Sequence, residues 1–538
     1  MDRRAFLRSS ALAVGVTSLG PGFWQSAYAA TARPGPGPYG ALLAADANGV
    51  MLPRGFTSRV LAVSGRPVAG HPWHAAPDGG AVFPQPDGGW AYASNSEVDA
   101  AAGGVSVLRF DATGQVAGAY RVLSGTTRNC AGGPTPWGTW LSCEEHPTGL
   151  VHECSVDAPG QGVPLPALGR FSHEAVTVDP TRRQLYLTED RPDGRLYRFT
   201  PQAYPDLSAG RLEVLAGTAS AVTWVPVLSQ VQPQEVAGRP PGSRAFDGGE
   251  GIWYDAGHVY FTTKGDNRVW DLDVAAQRLS VLYDAAVVGA GAPLTGVDNL
   301  VVSRAGDIFV AEDGGNLEIV MITPDRVVSP VLRLVGHTGS ELTGPAFSPD
   351  GTRLYFSSQR GTDGRGVTFE VRGPFRTPID VHYAALGGAG SFLGAPTARE
   401  VPAGDGSGRS RTYQGGAILW SAASGAHEVH GRIRTTWTAL GAERGPLGYP
   451  TADEAAVGDG VGRWSRFQHG RVYSSRATGA HEVRGAILST WRSMGATRSP
   501  LGYPVSDEYA VPGGRAGDFQ HGRLRWDAAT GEVTVQPR

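Results

Sequence analysis

Six short segments repeat one pattern of apolar and polar positions along the first two thirds of the chain. Tyr92-Ala93-Ser94-Asn95, Trp140-Leu141-Ser142-Cys143, Tyr186-Leu187-Thr188-Glu189, Tyr260-Phe261-Thr262-Thr263, Phe309-Val310-Ala311-Glu312 and Tyr355-Phe356-Ser357-Ser358 each run aromatic, apolar or small, small or hydroxyl, mostly polar. The aromatics step by 48, 46, 74, 49 and 46 positions, a period that marks a propeller blade. The long step reads as one blade with an insertion, placed in the Pro- and Gln-rich stretch 226–242. Turn signals precede most repeats: Pro86-Asp87-Gly88-Gly89, Trp137-Gly138, Arg304-Ala305-Gly306-Asp307 and Pro349-Asp350-Gly351. Gly and Asp supply the backbone conformations that hairpin turns need. The pattern predicts an all-β fold, a six-bladed β-propeller over 36–376.

The last third has a different period. Leu393-Gly394-Ala395-Pro396, Leu447-Gly448-Tyr449-Pro450 and Leu501-Gly502-Tyr503-Pro504 are spaced by 54, as are Trp437 and Trp491, and Gly425-Ala426-His427-Glu428-Val429 and Gly479-Ala480-His481-Glu482-Val483. Tyr413-Gln414, Phe467-Gln468 and Phe519-Gln520 complete the unit. Short helices, such as one over 431–440, alternate with turn and strand pieces. This predicts a small α+β repeat domain over 377–538. Its regular Trp and Tyr residues are read as core, with sugar-stacking surfaces as the alternative.

A second register lies upstream of the blade turns. Glu174-Ala175-Val176, Glu250-Gly251-Ile252 and Asp298-Asn299-Leu300 stand at matching places, with Pro345-Ala346-Phe347 in the last blade. Innermost strands of a propeller converge on its axis, so three carboxylates would face one another. Crowded like charges require protonation or cations between them. Oxygen clusters suit Ca²⁺, and a thiolate beside them suits a softer transition metal. Cys143-Glu144-Glu145, just past an apolar strand, adds that thiol. Cys143, Glu144, Glu174, Glu250 and Asp298 are therefore the expected metal ligands.

Each has a plainer reading. Cys143 fits a small buried strand residue, Glu144 and Glu145 a solvated loop pair, and the three carboxylates a set of backbone N–H acceptors closing the blades. His173 is left without a role. Glu312-Asp313-Gly314-Gly315-Asn316 has the look of a calcium loop and also of an ordinary turn. Of the three cysteines, Cys130–Cys154 is the preferred disulfide, which leaves Cys143 for metal.

The N-terminus changes the compartment. Met1-Asp2-Arg3-Arg4-Ala5-Phe6-Leu7-Arg8, an apolar run from Ala11 to Leu19, and Ala27-Tyr28-Ala29 lay out an export signal over 1–29. The paired arginines predict the twin-arginine route, which carries folded proteins. No other run is long and apolar enough to span a membrane, and the net charge of −3 gives no hint of nucleic acid. With 77 glycines among 538 residues and only 18% charged, the composition is that of a turn-rich β protein.

The run from Arg128 to Glu145, with Gly169-Arg170-Phe171-Ser172-His173-Glu174 and Asp298-Asn299, resembles the signature of PhoX-type alkaline phosphatases over about 38–375. The C-terminal units resemble LGFP repeats, with Ala395 replacing an aromatic in the first copy. The first resemblance implies a twin-arginine-exported propeller that hydrolyses phosphate monoesters at a site of Ca²⁺ and Fe³⁺. Cys143 would then bind iron, and Glu144, Glu174, Glu250 and Asp298 iron or calcium. The second implies attachment to cell-wall polysaccharide, and a monomer is expected. In that family an arginine two residues before the Glu250 position contacts phosphate. Here Gly248 stands there, so Lys264 and Arg360 are the expected phosphate contacts. Two alternatives remain: a calcium-dependent propeller lactonase or esterase, and a non-catalytic wall-associated propeller.

Overall fold

Turn residues and alternating apolar runs fold 77–372 into six antiparallel sheets, each built as a meander. The computed structural model describes residues 31–537 except 158 and 161; the export signal expected over 1–29 lies outside the described residues. The chain divides into two compact units, meeting between Phe375 and Arg376.

In the first unit, the innermost strands are Pro77–Pro84, Asn129–Pro134, His173–Asp179, Gly249–Asp255, Val297–Val302 and Leu342–Phe347. Each packs against the next, and the sixth packs against the first, so they close a ring. The second strands are Trp90–Ser96, Thr139–Glu144, Gln184–Glu189, His258–Thr263, Ile308–Glu312 and Arg353–Ser358. They carry the repeating aromatics, and every turn motif named above links a first strand to its second. The sixth sheet takes its outermost strand, Thr57–Val63, from before the first sheet, antiparallel to Val367–Arg372. That pairing ties the two ends of the ring together by backbone hydrogen bonds. Tyr39, Phe56 and Phe375 stack edge to edge beside it.

The core is divided among the six faces between neighbouring sheets. Ala93, Val105 and Val107 meet Trp140 and Cys154 between the first and second sheets. Leu141, Cys143 and Val151 meet Leu185, Leu187 and Tyr197 between the second and third. Phe309 and Ile319 meet Phe356 and Phe369 between the fifth and sixth. Burying each such large side chain contributes about 1.5–3 kcal/mol. The long step of the repeat is resolved into two additions: a fifth strand on the third sheet, Ala221–Pro226, and a connection containing the short helix Gln234–Ala237. Arg239 of that connection returns to grip Glu189 with two 2.9 Å hydrogen bonds.

All three cysteines are free, which corrects the expected Cys130–Cys154 disulfide. Cys130 is on the innermost strand of its sheet and Cys154 is on the third, packed among Val122, Val156 and Trp140.

The second unit repeats one motif three times. The helices Pro378–Ala385, Gly431–Ala439 and Gly485–Ser493 each precede a small antiparallel sheet. Trp437 and Trp491 are buried, and their indole N–H groups donate to the carbonyls of Gly448 and Gly502. The Gln that follows each aromatic caps the Leu-Gly-X-Pro turn: Gln468 Oε1 accepts from Tyr449 N at 3.0 Å and Gln520 Oε1 from Tyr503 N at 2.9 Å. These aromatics are core, the favoured of the two readings. No helix among the described residues is long and apolar enough to cross a membrane.

Candidate active site

One structural device builds the site. Every innermost strand carries a register shift at the same place, between Pro77 and Gly80, Asn129 and Gly132, His173 and Val176, Gly249 and Ile252, Val297 and Leu300, and Thr343 and Ala346. A bulge inserts an unpaired residue and re-aims its side chain. The residues so placed are Asp78, Cys130, Glu174, Glu250, Asp298 and Gly344. In the last sheet the matching residues are thus Gly344-Pro345-Ala346, one position before the expected Pro345-Ala346-Phe347. The residues after them, among them Gly79, Ala131, Ala175, Gly251 and Pro345, line a void of only about 30 Å³. Small side chains are obligatory there: a Cβ on Gly251 would come within 2.7 Å of Asn299 Cα.

Hydroxyl and amide groups of the second strands hold the bulges of the next sheet. Thr262 donates to the Asp298 carbonyl at 2.7 Å, Thr188 to the Glu250 carbonyl at 2.5 Å, and Asn95 to the carbonyls of Cys130 and Ala131 at 3.2 and 2.7 Å. This accounts for the polar position inside the repeated pattern.

A further set of polar side chains follows the second strands: Glu97, Glu145, Asp190, Lys264, Asp313 and Gln359. The two sets interlock. Oxygen atoms of Glu174, Glu250 and Asp298 lie within 4.8 Å of one another, and the same holds for Cys130, Glu145 and Glu174, for Asp298, Asp313 and Glu341, and for Asp78, Glu97 and Glu341, counting the Cys130 sulfur. Asn299 bridges the first group, donating to Asp298 Oδ1 at 2.8 Å and Glu174 Oε1 at 3.4 Å. Cys130 Sγ lies 3.7 Å from Asp78 Oδ2. Two cations answer these acids. Lys264 Nζ is 3.0 Å from Glu250 and 3.1 Å from Asp313, and Arg360 is 2.7 Å from Glu97 and 2.8 Å from Glu341.

Two cations do not balance this many carboxylates. Burial first, and neighbouring carboxylates second, push Asp78 and Glu174 well above the ordinary carboxylate range. Burial pushes up Glu250 despite Lys264 beside it, raises Asp298 to about 6, Glu145 to about 8 and Glu341 to about 9. Glu174 Oε2 is buried with no hydrogen-bond partner. An orphaned oxygen inside a crowded acidic cluster fits bound cations, and the Cys130 sulfur fits a metal softer than calcium.

This predicts an inverted pH dependence for metal-stripped protein. These acids hold protons more tightly folded than unfolded. Their contribution to stability is full below about pH 4 and is lost as pH rises through about 6 to 9. Chelator-treated protein is expected to melt at lower temperature at pH 9 than at pH 5.5. Saturating Ca²⁺ is expected to raise the melting temperature more at pH 9. Equal calcium shifts at the two pH values would contradict this account.

Of the expected ligands, the structure brings Glu174, Glu250 and Asp298 together and leaves two out. Cys143 is fully buried in the apolar layer between the second and third sheets. Glu144 braces a loop, accepting from the backbone N–H groups of Thr127 at 2.9 Å and Leu150 at 3.1 Å. Glu312 does the same for Thr295 and Glu318. Lys264 and Arg360 both reach the cluster. Asp313, from the calcium-like loop, joins it. His173 stacks on Phe171 at 3.6 Å and is held neutral by burial, its pKa lowered to about 3. Missed from sequence as cluster members were Asp78, Glu97, Cys130, Glu145, Asp190 and Glu341.

Gly248 has φ +67°, and a Cβ there would approach Asp190 Oδ1 to 3.2 Å. Its carbonyl accepts from Lys264 N at 2.8 Å. The glycine conformation thus fixes where the lysine starts.

The family described as alkaline phosphatase PhoX matches residues 90–162 and 148–361, and the LGFP repeat family matches 393–445, 447–499 and 501–538. Among solved structures, Pseudomonas fluorescens PhoX in complex with vanadate, a transition state analogue, is 18% identical, with TM-score 0.53, covering 64% of this chain and 98% of that one. A Xanthomonas campestris gluconolactonase is 14% identical, with TM-score 0.38, covering 63% of this chain and 99% of its own. An Agrobacterium tumefaciens calcium-binding regucalcin is 17% identical, with TM-score 0.30, covering 60% and 97%. No curated protein sequence matches the chain. Fold and site together define a metal-dependent phosphatase built on a β-propeller. The chain belongs to the PhoX family of alkaline phosphatases, and it carries LGFP repeats at its C-terminal end.

Proposed function

We propose that this protein is an exported phosphatase that hydrolyses phosphate monoesters at a Ca²⁺ and Fe³⁺ site on the axis of a six-bladed propeller. The observation that carries the reading is the crowding of mostly buried carboxylates and one thiol into interlocking groups, with Lys264 and Arg360 as the cations paired directly to them. The closed ring of six sheets supports the blade count.

Cys130, Glu145 and Glu174 would hold the iron, because they combine a thiolate with carboxylates. Glu250, Asp298, Asp313, Glu341 and Asp78 would hold calcium, which favours oxygen ligands. Bound there, the cations supply Lewis-acid neutralisation of phosphoryl and leaving-group oxygens. The protein's own groups position the substrate. Lys264 presents an ammonium at the rim and Arg360 a guanidinium that can grip two phosphoryl oxygens at once. Asn299 fixes the Asp298 and Glu174 carboxylates. The Cys130 thiol speaks against a calcium-only lactonase, since a hard cation gains nothing from sulfur.

The LGFP repeats over 377–538 would hold the enzyme to cell-wall polysaccharide, and the signal over 1–29 would deliver it folded by the twin-arginine route. A monomer suffices, because one chain supplies the whole cluster. The test is to purify the exported protein, measure iron and calcium per chain, and assay p-nitrophenyl phosphate. Both metals and steady hydrolysis are expected. Calcium without iron in fully active enzyme would overturn the mixed-metal assignment.

A further inference from the structure

The LGFP unit holds a second cluster of metal-ligand type that the phosphatase reading does not use. His382, in the last turn of the helix Pro378–Ala385, meets His427, on the strand Gly425–His430, at Asp453, just after Leu447-Gly448-Tyr449-Pro450 of the second repeat. His382 Nε2 is 2.9 Å from Asp453 Oδ1, and His427 Nδ1 is 3.2 Å from the same oxygen. Ligand atoms of the three lie within 4.8 Å of one another. Their side chains are about one fifth to one third exposed, open to a cation from solvent.

The hydrogen bonding around His427 makes the point sharper. Its Nε2 lies 3.0 Å from the carbonyl oxygen of Ser424, which only accepts, so Nε2 carries the hydrogen. The neutral ring then presents the Nδ1 lone pair to a carboxylate oxygen. Two lone pairs facing each other at 3.2 Å need a proton or a metal ion between them. The next repeat shows the proton solution. His481 Nε2 faces the carbonyl of Thr478 at 2.9 Å, its Nδ1 faces Asp507 at 3.5 Å, and Asp507 raises its pKa. There, Thr436 occupies the place of His382, 54 residues on. Only the first junction sets two imidazoles on one carboxylate. Protonating both would place two positive rings side by side, with centroids 5.9 Å apart. One divalent ion serves all three groups.

We propose that His382, His427 and Asp453 form a binding site for a zinc-class divalent transition metal, separate from the propeller cluster. Two neutral imidazoles and one carboxylate are a ligand set that zinc takes, with the fourth position open to water or a partner group. Ligands around a tetrahedral zinc stand about 3.3 Å apart, so the two imidazole–carboxylate spacings, 2.9 and 3.2 Å, need to open by only a few tenths of an ångström. The outer contacts are in place: Ser424 O orients His427, and the Glu428 N–H, at 3.2 Å, orients Asp453. Metal bound here pins the first helix of the repeat array to the turn of the second repeat.

The test uses the full-length protein with its propeller metals in place. Zinc uptake is measured by equilibrium dialysis, and cobalt is substituted to read ligand-field absorption. Wild type is expected to bind one more zinc per chain than His382→Thr, which installs the residue the second repeat already uses. The cobalt band is expected to vanish in that variant, with phosphatase activity unchanged. Conversely, Thr436→His completes the same triad with His481 and Asp507 and is expected to add one zinc per chain. Equal uptake by wild type and His382→Thr overturns the site, as does a Thr436→His protein that binds no additional zinc.

Discussion

Cys130→Ala is expected to lose iron and at least about 10³-fold in kcat/KM, about 4 kcal/mol of transition-state stabilisation. Cys143→Ala is expected to keep its metals and to remain within about threefold of wild type in rate. The two thiols stand 13 residues apart on neighbouring strands of one sheet, so the contrast is sharp. Cys130 occupies the bulge, 3.7 Å from Asp78 and grouped with Glu145 and Glu174. Cys143 packs among Leu141, Val151 and Leu187. Removing its buried sulfur leaves a small cavity, and the cost is stability, about 1–2 kcal/mol. Metal content per chain, initial rates on p-nitrophenyl phosphate and thermal melting separate the cases. If Cys143→Ala loses iron while Cys130→Ala keeps it, the thiol assignment is reversed.

The reason sequence alone favoured Cys143 is a slip of one residue. Aligning the repeats on their aromatics sets Trp140 against Tyr186. The hydrogen-bond ladder instead sets Ser142 opposite Gly132 as Leu187 is opposite Val176, so Leu141 is the partner of Tyr186. In a strand, a one-residue shift turns every side chain to the other face. Correcting it makes Glu144 the counterpart of Glu189, and Glu145 the counterpart of Asp190. The backbone-bracing role of Glu144 and the clustering of Glu145 then follow. Asp78 and Cys130 were hidden for a related reason. From bulge residue to aromatic the chain runs 14 residues in the first sheet, 10 in the second and fourth, 12 in the third and 11 in the last two. Hairpins of unequal length spoil any fixed spacing.

What was legible had a local cause. The turn dipeptides and intersheet aromatics are set by backbone geometry and by core packing, and both repeat at nearly constant intervals. The three carboxylates were found because each stands beside a small or amide residue that the narrow channel demands. Glu341 and Glu97 carry no such neighbour pattern, and they join the site only because the ring closes. The 54-residue repeat was readable because each copy makes the same Gln-to-turn hydrogen bond, and Trp437 and Trp491 donate to the turn carbonyl where the first copy uses the Tyr383 hydroxyl.

Lys264→Ala is expected to lower kcat/KM about 10²-fold, to raise KM, and to weaken competitive inhibition by inorganic phosphate, with metal content preserved. The argument rests on what stands around the ammonium. Lys264 is one-third exposed at the rim, between Glu250 at 3.0 Å and Asp313 at 3.1 Å, and those neighbours hold it charged well above its ordinary range. A phosphate dianion arriving at the cluster meets a positive group already oriented by the backbone bond from Lys264 N to Gly248 O. Arg360 is half exposed and tied to Glu97 and Glu341, so its removal is expected to cost less, about tenfold. Lys264→Arg restores charge but not the compact geometry, and is expected to recover only part of the loss. The metal measurement decides the mechanism. If Lys264→Ala loses calcium along with activity, the lysine is a counter-ion for Glu250 and does not touch substrate. Gly248→Arg gives an independent check. At φ +67° a side chain is strained and crowds Asp190, so an added guanidinium is expected to lower stability by about 1–2 kcal/mol and to leave the dependence on Lys264 intact.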